Sequence, residues 1–161
     1  MKLLIVDDEE LTRTGVITSL DWASLGIDEV LQADDGVHGL ETARLYKPEI
    51  ILCDVRMPRM DGISMLERLE KFLPDTVPIF MSGYSDKEYL KAAIKLKAVN
   101  YIEKPFSISE IETAIREARD SLLAAGAVYA SMSGSGSAVF GLFAGADAGR
   151  LRPRFPYVFA L

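Results

Sequence analysis

Five short apolar runs alternate with segments of helical character through residues 1–119, and that alternation constrains the fold more than any other feature. The runs are Leu3–Val6, Val30–Ala33, Ile50–Asp54, Val77–Met81 and Val99–Ile102. A short apolar run bounded by turn signals reads as a strand buried on both faces. Between the runs, a helix is expected from the Asp7-Asp8-Glu9-Glu10 cluster to about Leu20, with Leu11, Gly15, Ile17 and Leu20 on one face. A second covers about 36–46 and stops before Pro48, because a residue preceding proline disfavours helix. A third covers roughly 62–72. The fourth, Asp86–Lys97, turns Tyr89, Ala93 and Leu96 inward and Lys87, Lys91, Lys95 and Lys97 outward. Ser107 caps the last, with Glu110 as its capping-box partner, and that helix reaches about Ala124. Strands alternating with helices of this length imply βαβ units and right-handed crossovers. The expected fold class is α/β: a five-stranded, doubly wound parallel sheet.

A chain of 161 residues has room for one good core and an appendage. Hydrophobic residues make up 49% and charged residues 26%, a folded and not a disordered composition. The net charge of -6 is concentrated in residues 1–119, which argues against nonspecific nucleic-acid binding and suits an acidic metal pocket. Cys53 is the single cysteine, so no disulfide framework is available. It reads as a packed thiol in a reducing, cytoplasmic setting. The opening residues turn acidic too soon for a signal peptide. No apolar run approaches membrane-spanning length, and no internal repeat is present.

The central strand runs directly into Asp54. Taken alone, Asp54 has a second reading as only a helix cap or turn residue. Asp7-Asp8, Ser82 and Lys104 occupy the corresponding ends of three other strands. In a parallel sheet those ends share one edge, the edge at which open α/β sheets bind ligands. Carboxylates converging there repel one another, each pair by about 4 kcal/mol at 4 Å and an effective dielectric of 20. A cation or a raised pKa relieves that. Oxygen-only donors without histidine or thiolate point to Mg²⁺. Lys104 adds a compact positive charge and Ser82 a hydroxyl. Such a pocket suits a carboxylate nucleophile, Asp54, attacking a phosphoryl group to form an acyl phosphate.

Four motifs carry a family resemblance: Val6-Asp7-Asp8-Glu9, the D-x-R-M-P-x-M-D-G run from Asp54 to Gly62, Met81-Ser82-Gly83-Tyr84, and Tyr101-Ile102-Glu103-Lys104-Pro105-Phe106. On these residues 1–119 closely resemble the receiver domain of two-component response regulators, a flavodoxin-like fold. The resemblance implies that Asp54 is the phosphoacceptor and that Asp8 and Asp54 ligate Mg²⁺ directly. It implies that Asp7 acts through water and that the backbone carbonyl of Arg56 completes the protein ligands. Ser82 and Tyr101 would form the switch, Lys104 would contact the phosphate, and Lys104–Pro105 would be cis. The implied partner is a sensor histidine kinase. The stretches Asp21–Ile27 and Gly83–Leu90 resemble the branch whose receivers precede AraC-type DNA-binding domains, but residues 120–161 are too few for such an effector.

Residues 120–161 follow a different pattern. Gly126 is placed to end the last helix. Val128–Met132 and Ala138–Phe143 flank Ser133-Gly134-Ser135-Gly136-Ser137 and read as a β-hairpin, with a further strand at Tyr157–Ala160. This segment resembles the C-terminal end of a GHMP-type kinase, nearest the diphosphocytidyl-methylerythritol kinases, with Ala130–Ser137 matching their third motif. The upstream glycine loop and catalytic base of that family are absent, so kinase activity is not expected. The organisation expected is a chimera: a receiver domain at 1–119 and a kinase-like fragment at 120–161. A hairpin and strand cannot bury two faces alone, so the tail would pack on the receiver or pair two copies into a homodimer.

Three functions follow from these residues. The first is a phosphoryl-accepting signalling switch. The second is a dehalogenase-type hydrolase, which also uses an aspartyl nucleophile but needs a second aspartate where Arg56 stands. The third is an assembly module with the receiver as scaffold. His38 reads as a surface residue.

Overall fold

The computed structural model describes residues 1–83 and 87–124, without the side chains of Lys87 and Glu88. Five strands, β1 (Lys2–Val6), β2 (Glu29–Ala33), β3 (Ile50–Asp54), β4 (Val77–Ser82) and β5 (Asn100–Glu103), form one parallel sheet in the order β2-β1-β3-β4-β5. The helices are α1 (Glu10–Ser19), α2 (Gly36–Tyr46), α3 (Gly62–Leu69), α4 (Lys87–Lys95) and α5 (Ile108–Ala124). This is the doubly wound parallel sheet expected from the alternating runs, in the flavodoxin-like form that the resemblance implied. Compact packing divides the chain into Met1–Ala118 and Arg119–Leu161, with α5 running through the division. The hairpin and strand expected over 128–161, and the cap at Gly126, lie outside the described residues.

The step from β1 to β2 runs opposite to the later steps across the sheet. With right-handed crossovers, α1 then lies on one face and α2, α3 and α4 on the other. β1 sits at the reversal, flanked by β2 and β3. All five residues of β3 are buried, as its unbroken apolar run requires. Leu4, Val6, Ile51, Cys53 and Phe80 pack with Leu40, Ala43, Met65, Leu66, Leu69, Ala93 and Leu96 under α2–α4. The alternate residues Leu3, Ile5, Ile50, Leu52 and Ile79 are also fully buried, since strand side chains alternate between faces.

Helix ends follow local chemistry. Asp35 caps α2 by accepting from the amides of Val37 and His38, and Asp61 caps α3 by accepting from Ser64. α3 ends at Leu69, one turn short of the expected 72, and Glu70 forms its C-cap. α4 ends at Lys95, short of the expected Lys97; on it and the turn that follows, Ala93 and Leu96 are buried and Tyr89 packs at the core edge, while Lys91, Lys95 and Lys97 face solvent. On α1 the expected inward face is rotated. Val16 is the buried residue, and Leu11 is 88% exposed. Leu11 lies in the first turn of the helix.

The loop from β3 turns back tightly, with Gly62 N donating to Val55 O (3.0 Å). A Cβ at Gly62 would collide with the Asp54 carbonyl oxygen and with Cys53 Sγ. Gly62→Ala is therefore expected to destabilise by about 1–3 kcal/mol in urea denaturation, the cost of overpacking a closed core. Gly15→Ala, on a helix with open space around the new methyl, is expected to stabilise by about 0.5–1 kcal/mol.

The expected capping box closes ahead of α5: Glu110 accepts from Ser107 N (2.7 Å), and Ser107 Oγ accepts from Glu110 N (3.3 Å). The bonds from Ser107 hold the Glu110 carboxyl below its ordinary value. A depressed folded pKa contributes stability that is present above the unfolded value and lost as pH falls through the folded one. The stability difference between wild type and Glu110→Gln should accordingly be full at neutral pH and shrink on acidification through the carboxylate range.

Candidate functional site

The C-terminal ends of β1, β3, β4 and β5 bring Asp7, Asp54, Ser82 and Lys104 to one edge. Asp54 is the last residue of β3 and lies level with Met81 on β4. Ser82 ends β4, is 1% exposed, and pairs with Glu103. Lys104 follows immediately, and its amide donates to Ser82 O (2.8 Å). The Lys104–Pro105 bond is cis, as the resemblance implied.

Lys104 Nζ donates to Asp7 Oδ2 (2.8 Å) and to Asp54 Oδ2 (2.7 Å). One ammonium thus bridges two carboxylates that lie 97 and 50 positions from it in sequence. The other oxygens accept backbone amides: Asp7 Oδ1 from Glu9 N (2.8 Å) and Asp54 Oδ1 from Arg56 N (3.2 Å). Asp7 is fully buried, and burial pushes its carboxyl above the ordinary value against the opposing pull of Lys104 and the Glu9 amide. Burial alone would lower the Lys104 ammonium, but its bonds to Asp54 and Asp7 outweigh that and raise it. Lys104 and the two carboxylates it bridges hold one another's charges.

Asp8 is exposed at the mouth. Carboxylate oxygens of Asp7, Asp8 and Asp54 lie within 4.8 Å of one another, close enough to share one cation. Three oxygen donors, one open to solvent, are the chemistry of a hard, partly hydrated ion.

Tyr101 lies further back, level with Phe80, and its half-buried ring packs at the core edge beneath α4. Arg56 is exposed: Nε donates to Tyr89 OH (2.7 Å), and the guanidinium lies 5.5 Å from that ring's centre. Cys53 is sealed beneath Asp54, with Sγ 3.1 Å from its carbonyl oxygen. Burial first, and then the nearby Asp54 charge, push its thiol pKa well up.

Several contributors carry no motif. Arg13 on α1 donates to Asp7 O (2.6 Å), steadying the turn at the pocket floor. Arg59 pairs with Asp35, and its Nη2 lies 3.8 Å from Asp34. The D-G step at Asp35-Gly36 marks a helix start, but no local signal joins it to Arg59.

Removing the bridge isolates its consequence. In Lys104→Met, Asp7 and Asp54 face each other without a cation, and a loss of about 1–3 kcal/mol is expected for stranding a buried polar group. The Asp7 carboxyl rises further. A raised folded pKa opposes stability as pH climbs through it, so the deficit against wild type should widen with pH across that range in urea melts.

The receiver-domain family model, "Response regulator receiver domain", matches residues 3–116. A second, weaker match, "GHMP kinases C terminal", covers 80–160 and overlaps the first through β4, α4, β5 and much of α5. An uncharacterized response regulatory protein of Staphylococcus epidermidis is 34% identical over 69% of this chain and 43% of its own length. The transcriptional regulatory protein HptR of Staphylococcus aureus is 33% identical over the same shares. The chain spans less than half the length of the curated relatives it matches. A crystal structure of a two component transcriptional regulator AraC from Clostridium phytofermentans is 50% identical, with TM-score 0.71 over 76% of this chain and 95% of that one. Among the described residues no helix is long and apolar enough to cross a membrane. With its acid pocket at the reversal point of a five-stranded parallel sheet, this chain belongs to the response regulator receiver domain family of two-component systems.

Proposed function

We propose that the protein is a phosphoryl-accepting switch that takes a phosphoryl group from a sensor histidine kinase onto Asp54. The observation that carries this is the pair of hydrogen bonds from Lys104 Nζ to Asp7 and Asp54 beside the exposed Asp8. Asp54 Oδ attacks phosphorus, the bond from phosphorus to the donor's leaving group breaks, and an acyl phosphate remains on Asp54. Lys104, already bridging the carboxylates, turns to the phosphoryl oxygens as their charge develops. Mg²⁺ held by Asp7, Asp8, Asp54 and the Arg56 carbonyl would supply the remaining charge neutralisation. Ser82, at the end of the neighbouring strand, would offer its hydroxyl to the product, with Tyr101 moving in concert.

The acidic net charge argues against nonspecific nucleic-acid binding by the receiver body. We also propose that residues 1–119 form the receiver and 120–161 a kinase-like fragment joined to it. A second reading is kept open by the tail's separate, kinase-like resemblance: the tail would bring two copies together and the receiver would serve as scaffold.

Intact-mass analysis after incubation with acetyl phosphate separates the readings. One phosphoryl addition is expected, dependent on Mg²⁺ and absent from Asp54→Asn. No addition under any condition would move the scaffold reading to first place.

A further inference from the structure

Arg59 stands in the loop between β3 and α3 with φ 63°, the left-handed region that a long side chain adopts at a steric cost. Residues stay there when their surroundings over-determine them. The surroundings are on the neighbouring turn after β2. The Arg59 guanidinium pairs with Asp35, which is 1% exposed and whose Oδ1 is committed to the amides of Val37 and His38 (2.8 and 2.9 Å). Its Nη2 also lies 3.8 Å from Asp34 Oδ1, itself fixed by His38 Nδ1 (2.9 Å). Beside the ion pairs, Gly36 N donates to Met60 O (3.2 Å), an approach so close that a Cβ at Gly36 would strike that oxygen. The β3–α3 loop is therefore tied to the β2–α2 turn at residues 59 and 60. At its other end the same loop returns to the pocket through Arg56 N and Asp54 Oδ1 (3.2 Å).

We infer that Arg59 is a positioning residue: its ion pairs with Asp35 and Asp34 hold the backbone left-handed at 59, and this sets residues 56–58 against the acid pocket so that the loop can complete a divalent-cation site. The inference rests on the reading of Asp7, Asp8 and Asp54 as a Mg²⁺ site. Arg59 does not touch the pocket. It acts by keeping the loop in a conformation that an untethered side chain would leave.

Mg²⁺ titration calorimetry of the full chain tests this, with folding of each variant checked by circular dichroism. Arg59→Gln keeps a side chain at φ 63° but removes the tether, and its Mg²⁺ affinity should fall by about tenfold, as when a supporting residue behind a metal ligand is lost. Arg59→Gly also removes the tether, but glycine takes the left-handed conformation freely, so its affinity should stay near wild type. Asp35→Asn, which can still cap α2, should match Arg59→Gln in the wild-type background and have little effect beside Arg59→Gly. Arg59→Lys should recover part of the loss. Wild-type affinity in Arg59→Gln, or Arg59→Gly as weak as Arg59→Gln, would overturn the inference while leaving the Mg²⁺ reading intact. If wild type binds no Mg²⁺, or binds it equally well as Asp8→Asn and Asp54→Asn, the site reading falls and the inference with it.

Discussion

Two carboxylates that would repel each other share one ammonium, and the rest of the molecule is arranged to permit it. Asp7 is fully buried, which opposes its charge, and Lys104 offsets that opposition from the end of a separate strand, just after β5. Neither residue could hold this position on a flexible segment. The sheet supplies the rigidity: β1 and β3 are adjacent, β4 carries Ser82, and the peptide after β5 brings Lys104 back across the same edge. The apolar residues beneath, from Leu4 to Phe80, stabilise the sheet, and the sheet in turn holds unlike charges in register.

The same logic explains what could be read from the residues alone. Strands buried on both faces announce themselves as unbroken apolar runs, and strand ends in a parallel sheet necessarily share an edge. Asp54, Asp7 and Lys104 could therefore be brought together without any knowledge of distance. Ser107 and Glu110 follow a spacing rule confined to one helical turn, and they too were legible. Leu11 was not. Helical periodicity places it on an apolar face but does not say which residue of that face is buried, and here it is Val16. The end of α3 slipped by one turn for a similar reason, since Phe72 and Leu73 extend the apolar pattern without extending the helix.

The Arg59 pairs mark the limit more sharply. Nothing in Met57-Pro58-Arg59-Met60 distinguishes a solvated arginine from one that bridges to another loop. Its partners come from a turn that becomes a neighbour only once β1 lies between β2 and β3. Contacts of this kind are products of topology and carry no signature in a local window. The backbone conformation at Arg59 is equally silent, because a left-handed residue is usually foreseen only when it is glycine.

Cys53 lies one residue before Asp54, sealed on the central strand, and its thiol is held far from ionisation. Reagents that modify sulfur attack the thiolate, so a closed sheet hides this atom both sterically and chemically. As the single cysteine of the chain, it makes the protein its own reporter. The rate at which a soluble alkylating agent reaches that sulfur measures how often the centre of the sheet opens, at the rung directly below the charged edge.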